Sequence, residues 1–312
     1  MSRLRVSILS EHWYPASVGG MASGRVFDCL ARGLAELGHE VTCVLSGGLI
    51  PLPHGVTLES EVPAETDIVH VADPTLIQKL GVSGRPWLRT RHVDSTIRGI
   101  PRTTAANTIY VSRTLASDYG SDCYVWNGVD PDEFFYSDAK QDYVLFLCGL
   151  ERAAAKGFDI AMDAARQAGV RLVVGGSSRD RALMARFSEM CAEKGVEYAG
   201  EVWGTRRAAL LAGAKALLFP TQWNESFGLV MAEALMSGTP VISSNRGACP
   251  ELITPDVGFV CQGTEDYARA ILRAHEIAPS ACRGKAMRDF HYRGMAAEYI
   301  KKYQQFLKCG VL

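Results

Sequence analysis

The strongest chemical signal in the sequence is the stretch 219–241, which reads FPTQWNESFGLVMAEALMSGTPV. Its pattern predicts a buried strand that ends at Pro220, a polar loop, and a helix from Phe227 to about Met236 with Ser226 as its N-cap. The first amides of a helix have no partner within it, so they attract anions. The amides expected to face an anion here are those of Phe227, Gly228 and Leu229.

Two carboxylates flank this expected anion site. Glu225 lies in the loop, and Glu233 lies about two turns along the helix. A carboxylate accepts hydrogen bonds from hydroxyl groups without competing for a phosphate, so the pair suits the hydroxyls of a sugar and a ribose. The alternative, an amphipathic helix with two surface acids, explains less of the stretch.

A second loop that could bind phosphate follows the first predicted strand. Gly19 and Gly20 would let backbone amides approach an anion at the start of the next helix, although an ordinary strand-to-helix turn explains this segment about as well. Gly19 and Gly24 have P-loop spacing, but Arg25 and Val26 replace the residues that hold phosphate and magnesium. An ATPase is therefore excluded, and the lack of a GxGxxG pattern weakens a dinucleotide dehydrogenase.

Taken in order along nearly the whole chain, these segments resemble the retaining nucleotide-sugar glycosyltransferases of family 4. Glu225 and Glu233 match the family's two glutamates separated by seven residues, and 238–242 matches the segment after them. The glycines at 19–20 match the family's N-terminal diphosphate loop. Its interdomain turn is matched by 127–130, and its lysine segment by 156–159.

The resemblance implies an α/β protein with the GT-B fold, in which two Rossmann-like domains with parallel sheets face a cleft. It implies that Glu225 contacts the donor sugar, Glu233 the nucleotide ribose and Lys156 the diphosphate. Here the family's Gly-Arg-Leu is altered, because Arg152 comes two positions late. Arg152 can reach the diphosphate on its long side chain, or it is a solvated loop residue.

The resemblance also draws attention to His92, which follows a predicted strand where the family often has a histidine near the sugar and the acceptor. We expect catalytic roles for His92, Lys156 and Glu225, with a structural role as the alternative for the histidine. Six arginines and a single acid lie between Arg85 and Arg113. They would suit an anionic acceptor or peripheral membrane contact, although a solvated loop is slightly favoured.

The pair Asp130-Pro-Asp132 has the DxD form with which glycosyltransferases of another fold bind Mn²⁺ or Mg²⁺. It falls in the predicted hinge, so we interpret it as a turn. The sequence has no other metal-ligand spacing, and stabilisation of the leaving group by cations and helix dipoles requires no metal or cofactor.

Short β-branched runs alternate with helix-like segments, which predicts α/β layers with parallel sheets. One long helix is predicted at about 21–37, with Gly38 as its left-handed cap. Ten strands are predicted, at 4–10, 41–45, 67–71, 87–92, 108–111, 143–148, 171–174, 216–219, 240–243 and 258–260.

The turn-rich segment 127–132 separates the two sets of strands and is the expected hinge. It divides the chain into domains at 1–130 and 131–312, which the resemblance makes the acceptor side and the donor side. A helical, aromatic-rich stretch at about 283–308 has no strand after it, so we expect it outside the second sheet.

Composition limits the classes of partner. The 312 residues carry a net charge of −1, so no overall field would recruit nucleic acid. The nine cysteines form no CxxC pair and lie mostly in apolar runs, which indicates free thiols in a reducing compartment. No signal peptide or transmembrane segment is expected, so the cytoplasm is the predicted location.

The function predicted is transfer of a sugar, hexosyltransferase-like, from a nucleoside diphosphate to an acceptor hydroxyl with retention and without metal. The acceptor is not identified. Two alternatives stay open: a GT-B nucleotide-sugar epimerase, which would act without an acceptor, and a non-catalytic relative that binds the donor.

Overall fold

The computed structural model describes residues 3–10, 22–45 and 52–312. The chain forms two compact units: unit 1 comprises Met1–Asp130 with Asp289–Leu312, and unit 2 comprises Pro131–Arg288. The first crossing between units lies inside the segment 127–132, where the sequence predicts the boundary.

Each unit contains one six-stranded parallel sheet. In unit 1 the order is β3-β2-β1-β4-β5-β6, and in unit 2 it is β12-β11-β10-β7-β8-β9. Both are the doubly wound order of a Rossmann fold. The strands are β1 Arg5–Ser10, β2 Glu40–Leu45, β3 Val56–Glu59, β4 Ile68–Val71, β5 Trp87–Arg91, β6 Thr108–Tyr110, β7 Tyr143–Gly149, β8 Arg171–Ser177, β9 Glu197–Gly200, β10 Ala216–Phe219, β11 Val241–Ser244 and β12 Gly258–Cys261.

All ten predicted strands are present among the described residues, and the prediction missed β3 and β9. Both missed strands lie at an edge of their sheet, and each is only four residues long. Neither has a fully buried residue, so neither carries the continuous apolar run that marks a buried parallel strand.

Helices connect the strands. The long helix predicted after the first strand is α1, and Gly38 just after it has φ 88°, as its predicted cap role requires. The α-helices are α1 Ala22–Glu36, α2 Thr75–Lys79, α3 Arg113–Asp118, α4 Phe158–Ala168, α5 Arg181–Glu193, α6 Gly204–Gly213, α7 Leu229–Met236, α8 Cys249–Leu252, α9 Thr264–Arg273, α10 Pro279–Asp289 and α11 Tyr292–Cys309. Within the described ranges, no helix has the length and apolar character needed to cross a membrane.

We expected the C-terminal stretch to pack outside the second sheet, but α11 belongs to unit 1. It packs so closely on α1 that a Cβ on Gly33 would lie 2.7 Å from the Ala296 Cβ. The physical reason is a set of apolar and aromatic side chains on one face of α11, which needs a partner surface. The buried set is Tyr292, Met295, Ala296, Tyr299, Ile300 and Tyr303.

A buried polar network also joins α11 to the sheet of unit 1. His70 on β4 lies 2.6 Å from the Tyr303 hydroxyl through Nδ1 and 2.8 Å from Thr90 Oγ1 through Nε2. Thr90 on β5 in turn lies 2.7 Å from the Tyr299 hydroxyl. Burial lowers the pKa of His70 to about 3, so its imidazole is neutral at physiological pH.

This depressed pKa predicts an acid-sensitive unit 1. Below the unfolded pKa of about 6.5, the unfolded chain binds a proton that folded His70 does not, so the free energy of unfolding falls as the pH is lowered towards 3. His70→Gln should reduce the pH dependence of the free energy of unfolding by up to about 1.4 kcal/mol per pH unit. It should also lower the free energy of unfolding at pH 7.5, because hydrogen bonds are lost.

Urea unfolding at pH 7.5, 6 and 5 measures both effects. The control is His275→Gln, which alters an exposed histidine of unit 2 and should leave the unfolding of unit 1 unchanged. Equal slopes for wild type and His70→Gln would contradict the assignment.

Candidate functional site

Three loops of unit 2 meet at one edge of its sheet. They follow β7, β10 and β11, which are neighbours in the order β11-β10-β7. Because the strands are parallel, their carboxyl ends lie at the same edge, where open α/β sheets bind ligands.

The loop after β7 is held against the loop after β10 by a close backbone approach. Gly157 precedes α4 with φ 83°, and a Cβ there would lie 2.0 Å from the Pro220 carbonyl oxygen. The Gln222 amide donates to the Ala155 carbonyl oxygen at 2.8 Å. A residue with a side chain at position 157 would force these loops apart, so the glycine determines where Lys156 lies.

Lys156, Trp223 and Glu225 form the centre of the site. The Lys156 ammonium is hydrogen-bonded and ion-paired to Glu225 Oε2, and the Trp223 Nε1–H donates to the same oxygen at 3.1 Å. The ammonium also lies 4.3 Å from the Trp223 ring centroid, within the range of a cation–π contact. The Trp223 indole thus contacts both the Lys156 cation and the Glu225 carboxylate.

The loop after β11 supports the Glu225 backbone from another side. Gly247 has φ 56°, and a Cβ there would lie 2.3 Å from both the backbone nitrogen and the carbonyl oxygen of Glu225. The Ala248 amide donates to that carbonyl oxygen at 2.8 Å. Glu225 is therefore fixed through its main chain before any ligand binds.

The helix after Glu225 begins later than predicted. Its N-cap is Gly228, in the left-handed conformation with φ 82°, and α7 starts at Leu229. Ser226 is therefore not the N-cap, and Phe227 is not helical. Both lie buried in the loop before the helix, which begins only after the left-handed Gly228. The start of the helix still lies against Glu225, because a Cβ on Gly228 would be 3.3 Å from the Glu225 Cγ.

Glu233 is completely buried on α7 rather than exposed at the surface. Arg207 on α6 donates to its Oε2 through Nε at 3.1 Å and also through Nη2. A charge without solvent contact needs such a partner, because its desolvation is costly. Arg207 is a residue that the sequence analysis missed.

Arg152 is placed beside the central cluster. It ends the 3₁₀ helix Leu150–Arg152 that follows β7, and its guanidinium lies 5.5 Å from the Trp223 ring centroid. Arg152 and Lys156 therefore both contact Trp223. A second cation is therefore present beside Trp223 despite the shift of the arginine along the sequence.

His92 belongs to unit 1, where it directly follows β5, and its ring packs edge-on against Phe27 with 5.5 Å between ring centroids. Burial lowers the pKa of His92 to about 4, so the ring is neutral at pH 7. Its buried Nε2 has no hydrogen-bond partner among the described residues. Gly19 and Gly20 lie outside the described residues.

The arginines between 85 and 113 are mostly engaged within unit 1. Arg102 pairs with Asp94 and Asp118. The other contacts are Arg85 with the Pro63 and Ala64 carbonyls, Arg89 with Thr108, Arg91 with Tyr119 and Arg113 with Tyr124. The side chain of Arg98 is not described. These contacts favour a structural role over an anion-binding surface.

Of the predicted site residues, the structure brings together Arg152, Lys156 and Glu225 with the start of α7, and it places Glu233 one turn into that helix. The sequence analysis missed Trp223, although its position two residues before Glu225, in the same loop, could have indicated a contact between them. Arg207 had no such signal, because its contact with Glu233 depends on the packing of α6 against α7.

Two doubly wound sheets, with a cation–carboxylate cluster at a helix start, define the class of a two-unit, ligand-binding α/β protein. The model of the family described as glycosyl transferases group 1 matches residues 131–286, half of the chain. The chain belongs to this family, and its fold is the GT-B fold.

Two relatives show the range of similarity. The chain is 23% identical to phosphatidyl-myo-inositol mannosyltransferase of Mycobacterium leprae (strain TN), with 93% of this chain and 90% of that protein covered. It is 29% identical to an uncharacterized 41.2 kDa protein in the cps region of Klebsiella pneumoniae, with 48% of this chain covered. That match spans only 43% of the Klebsiella protein's own length.

Solved structures align along almost the whole chain. AviGT4, a glycosyltransferase involved in avilamycin A biosynthesis, superposes with a TM-score of 0.77 at 26% identity, covering 98% of each chain. HepE of Anabaena, in complex with UDP and glucose, gives a TM-score of 0.74, covering 97% of this chain and all of that one. At 15% identity, the second likeness shows the fold alone.

The Gly157 contact gives a matched test, because Gly169 at the other end of α4 is also left-handed, with φ 66°. Alanine costs about 1–2 kcal/mol at either position for the left-handed backbone. A Cβ on Gly169 meets nothing within 4 Å, whereas one on Gly157 meets the Pro220 oxygen. Gly157→Ala should therefore cost about 1–3 kcal/mol more than Gly169→Ala, the range for overpacking. Urea unfolding compares them, and equal costs would show that the loop contact does not constrain the fold.

Proposed function

We propose that the protein is a retaining glycosyltransferase of family 4 that transfers a sugar from a nucleoside-diphosphate sugar to an acceptor hydroxyl. The observation that carries the proposal is the meeting of Lys156 with Glu225 before α7, at the carboxyl edge of the sheet of unit 2. This site offers a cation for a phosphate and a carboxylate for hydroxyls within one hydrogen bond of each other.

The chemistry requires stabilisation of the diphosphate as it leaves. Lys156 supplies a positive charge, and Arg152 supplies a second one beside it on Trp223. The amides of the turn at Ser226, Phe227 and Gly228 and of Leu229, with the helix dipole, favour the same negative charge. Donors fixed in advance need no reorganisation during the reaction, which makes them effective in catalysis.

The two glutamates would hold hydroxyl groups of the donor. In this proposal Glu225 accepts hydrogen bonds from the sugar and Glu233 from the ribose. The Glu233 side chain has no exposed surface, so contact with a ribose requires a shift of Arg207 or of another neighbour. Until such a shift, Arg207 would hold the carboxylate in place through its two hydrogen bonds.

Unit 1 is proposed to supply the acceptor side. The neutral His92 ring, whose Nε2 has no hydrogen-bond partner among the described residues, is suited to a hydrogen bond with the donor sugar or the acceptor. Gly19 and Gly20 would contact the diphosphate through their amides. The acceptor stays unidentified, and the engaged arginines give no particular support for an anionic one.

Retention is proposed from the family resemblance, and independence from metal is proposed because Lys156, Arg152 and the helix dipole can stabilise the leaving diphosphate. We assign no nucleophile, because no carboxylate is established beneath the anomeric carbon. In the DxD pair, the buried Asp130 carboxylate is ion-paired with Arg32, which supports a structural role. With cations and amides at the diphosphate, the reaction needs no cofactor.

Relatives support a nucleotide sugar as the donor. The mycobacterial relative is named as a mannosyltransferase, and the HepE structure holds UDP and glucose. We also propose a cytoplasmic location, since seven of the nine cysteines are buried and all nine are free thiols.

The proposal is tested by thermal shift with UDP, GDP, ADP and dTDP sugars, followed by assays of nucleoside diphosphate release with and without candidate acceptor alcohols. A ligand at a hundred times its dissociation constant should stabilise the protein by about 2.7 kcal/mol. Release that requires an acceptor and persists in EDTA is expected. Turnover of the nucleotide sugar without an acceptor would indicate an epimerase. Donor binding without turnover would indicate a non-catalytic relative. Loss of activity in EDTA, with recovery on adding Mn²⁺, would indicate a metal-dependent enzyme.

Lys156→Ala should lower the turnover number by at least about 100-fold, the scale for loss of one preorganised electrostatic group. The effect should fall on turnover more than on folding, because the ammonium responds to charge that grows in the transition state. Steady-state kinetics and urea unfolding measure the two. The matched control is Lys194→Ala, at the C-terminal end of α5 in the same unit. Unchanged turnover in a stable variant would remove Lys156 from the reaction.

A further inference from the structure

We propose that the Lys156–Glu225 pair makes the site discriminate against free nucleoside diphosphate in favour of the sugar-bearing donor. The inference rests on the proposed function and adds a role for Glu225 that contact with the sugar alone does not include. In this role Glu225 competes with the diphosphate for Lys156. The hydroxyls of a bound sugar remove this competition by donating hydrogen bonds to Glu225.

The pair is well placed for competition because it is largely shielded from water. The side chains are 16% and 13% exposed for Lys156 and Glu225. Charges in such a position interact more strongly than on an open surface, and each loses stability when its partner leaves. The Lys156 ammonium is therefore already paired with a carboxylate before an anionic ligand binds.

Trp223 holds both members of the pair. Its Nε1–H donates to the Glu225 oxygen that also receives Lys156, and its ring lies beneath the ammonium. Phe219 adds a second ring, whose centroid is 5.1 Å from the ammonium. This arrangement fixes the distance between the charges, so Lys156 cannot turn to a phosphate without weakening its contact with Glu225.

Free nucleoside diphosphate therefore binds at a cost. When its phosphates draw Lys156 away, the Glu225 carboxylate is left shielded from water and close to the negative charge of the ligand. Both effects are unfavourable, because an unpaired carboxylate loses its counterion and like charges repel. The nucleoside diphosphate brings no hydroxyl to the place that Lys156 has left.

A donor with its sugar in place removes that cost. The sugar hydroxyls can donate to Glu225 while Lys156 turns to the diphosphate, so both charges stay satisfied. After the sugar is transferred, Glu225 loses these donors and again attracts Lys156. The pair would thereby weaken binding of the product and favour its release.

Calorimetric titration of UDP, GDP, ADP and dTDP into wild type and Glu225→Gln tests the inference. The amide keeps the size of the side chain and removes its charge, so the nucleoside diphosphate that binds wild type should bind the variant about tenfold more tightly, about 1.4 kcal/mol. The matching nucleotide sugar should gain less or lose affinity, because it loses a charged acceptor. A general loss of structure would weaken both ligands.

The matched control is Glu197→Gln. Glu197 also pairs with a cation, Arg171, but it begins β9 and so lies at the amino end of that strand, away from the carboxyl edge. Its replacement should leave both affinities as in wild type. Equal or weaker binding of nucleoside diphosphate to Glu225→Gln, with wild-type affinity in the control, would overturn the inference and leave the proposed function intact.

Two further variants strengthen the test, and the first of them does not need a folded Glu225→Gln. Trp223→Phe retains a ring but loses the Nε1–H donor, so Glu225 keeps fewer donors when Lys156 turns to the phosphates. Nucleoside diphosphate should then bind about threefold more weakly, a fraction of the effect of one hydrogen bond, while the matching nucleotide sugar should lose less. Unchanged or tighter binding of nucleoside diphosphate in that variant would count against the competition between Glu225 and the diphosphate. Lys156→Gln should cost more affinity in the Glu225→Gln background than in wild type, because only there is the ammonium unopposed, and equal costs would show that the two residues are not coupled. Failure of every nucleoside diphosphate and nucleotide sugar to bind wild type would overturn the proposed function together with the inference.

Discussion

The candidate site depends on two places where main chains approach too closely for any side chain. At Gly157 the loop after β7 meets the Pro220 carbonyl, and at Gly247 the loop after β11 meets the Glu225 backbone. Both glycines have positive φ, 83° and 56°, which residues with a Cβ rarely adopt. These contacts fix three loops on one sheet edge, so the charged side chains on them meet without support from a ligand.

The two glutamates of α7 and the loop before it are held in different ways. Glu225, partly exposed and held by Lys156 and Trp223, can exchange its partner for a ligand. Glu233 is fully buried and held by two nitrogens of Arg207, so its pairing is part of the unit 2 core. The same residue type in one short stretch thus occupies two environments, because helix packing buries one carboxylate and leaves the other at the loop.

Unit 1 is completed by the end of the chain. The buried contacts of His70 and Thr90 with Tyr303 and Tyr299 make α11 part of its core, which is why this unit is discontinuous in sequence. A neutral histidine serves this purpose because it donates through one ring nitrogen and accepts through the other. The network would be costly if either nitrogen were charged and buried without a counterion.

The sequence by itself determined the class of fold and the elements of the site, because strand and helix periodicity and loop composition are local properties. It placed Lys156 and Glu225 correctly after buried strands, and parallel pairing then required those loops to share an edge. Only the tertiary structure decided which charges are paired. Arg207 lies 26 residues before Glu233, and α11 contacts a strand 233 residues away through Tyr303 and His70. Such contacts depend on which helix faces pack together. The start of α7 at Leu229 was also decided by the tertiary structure, in which Gly228 adopts a left-handed conformation as the N-cap.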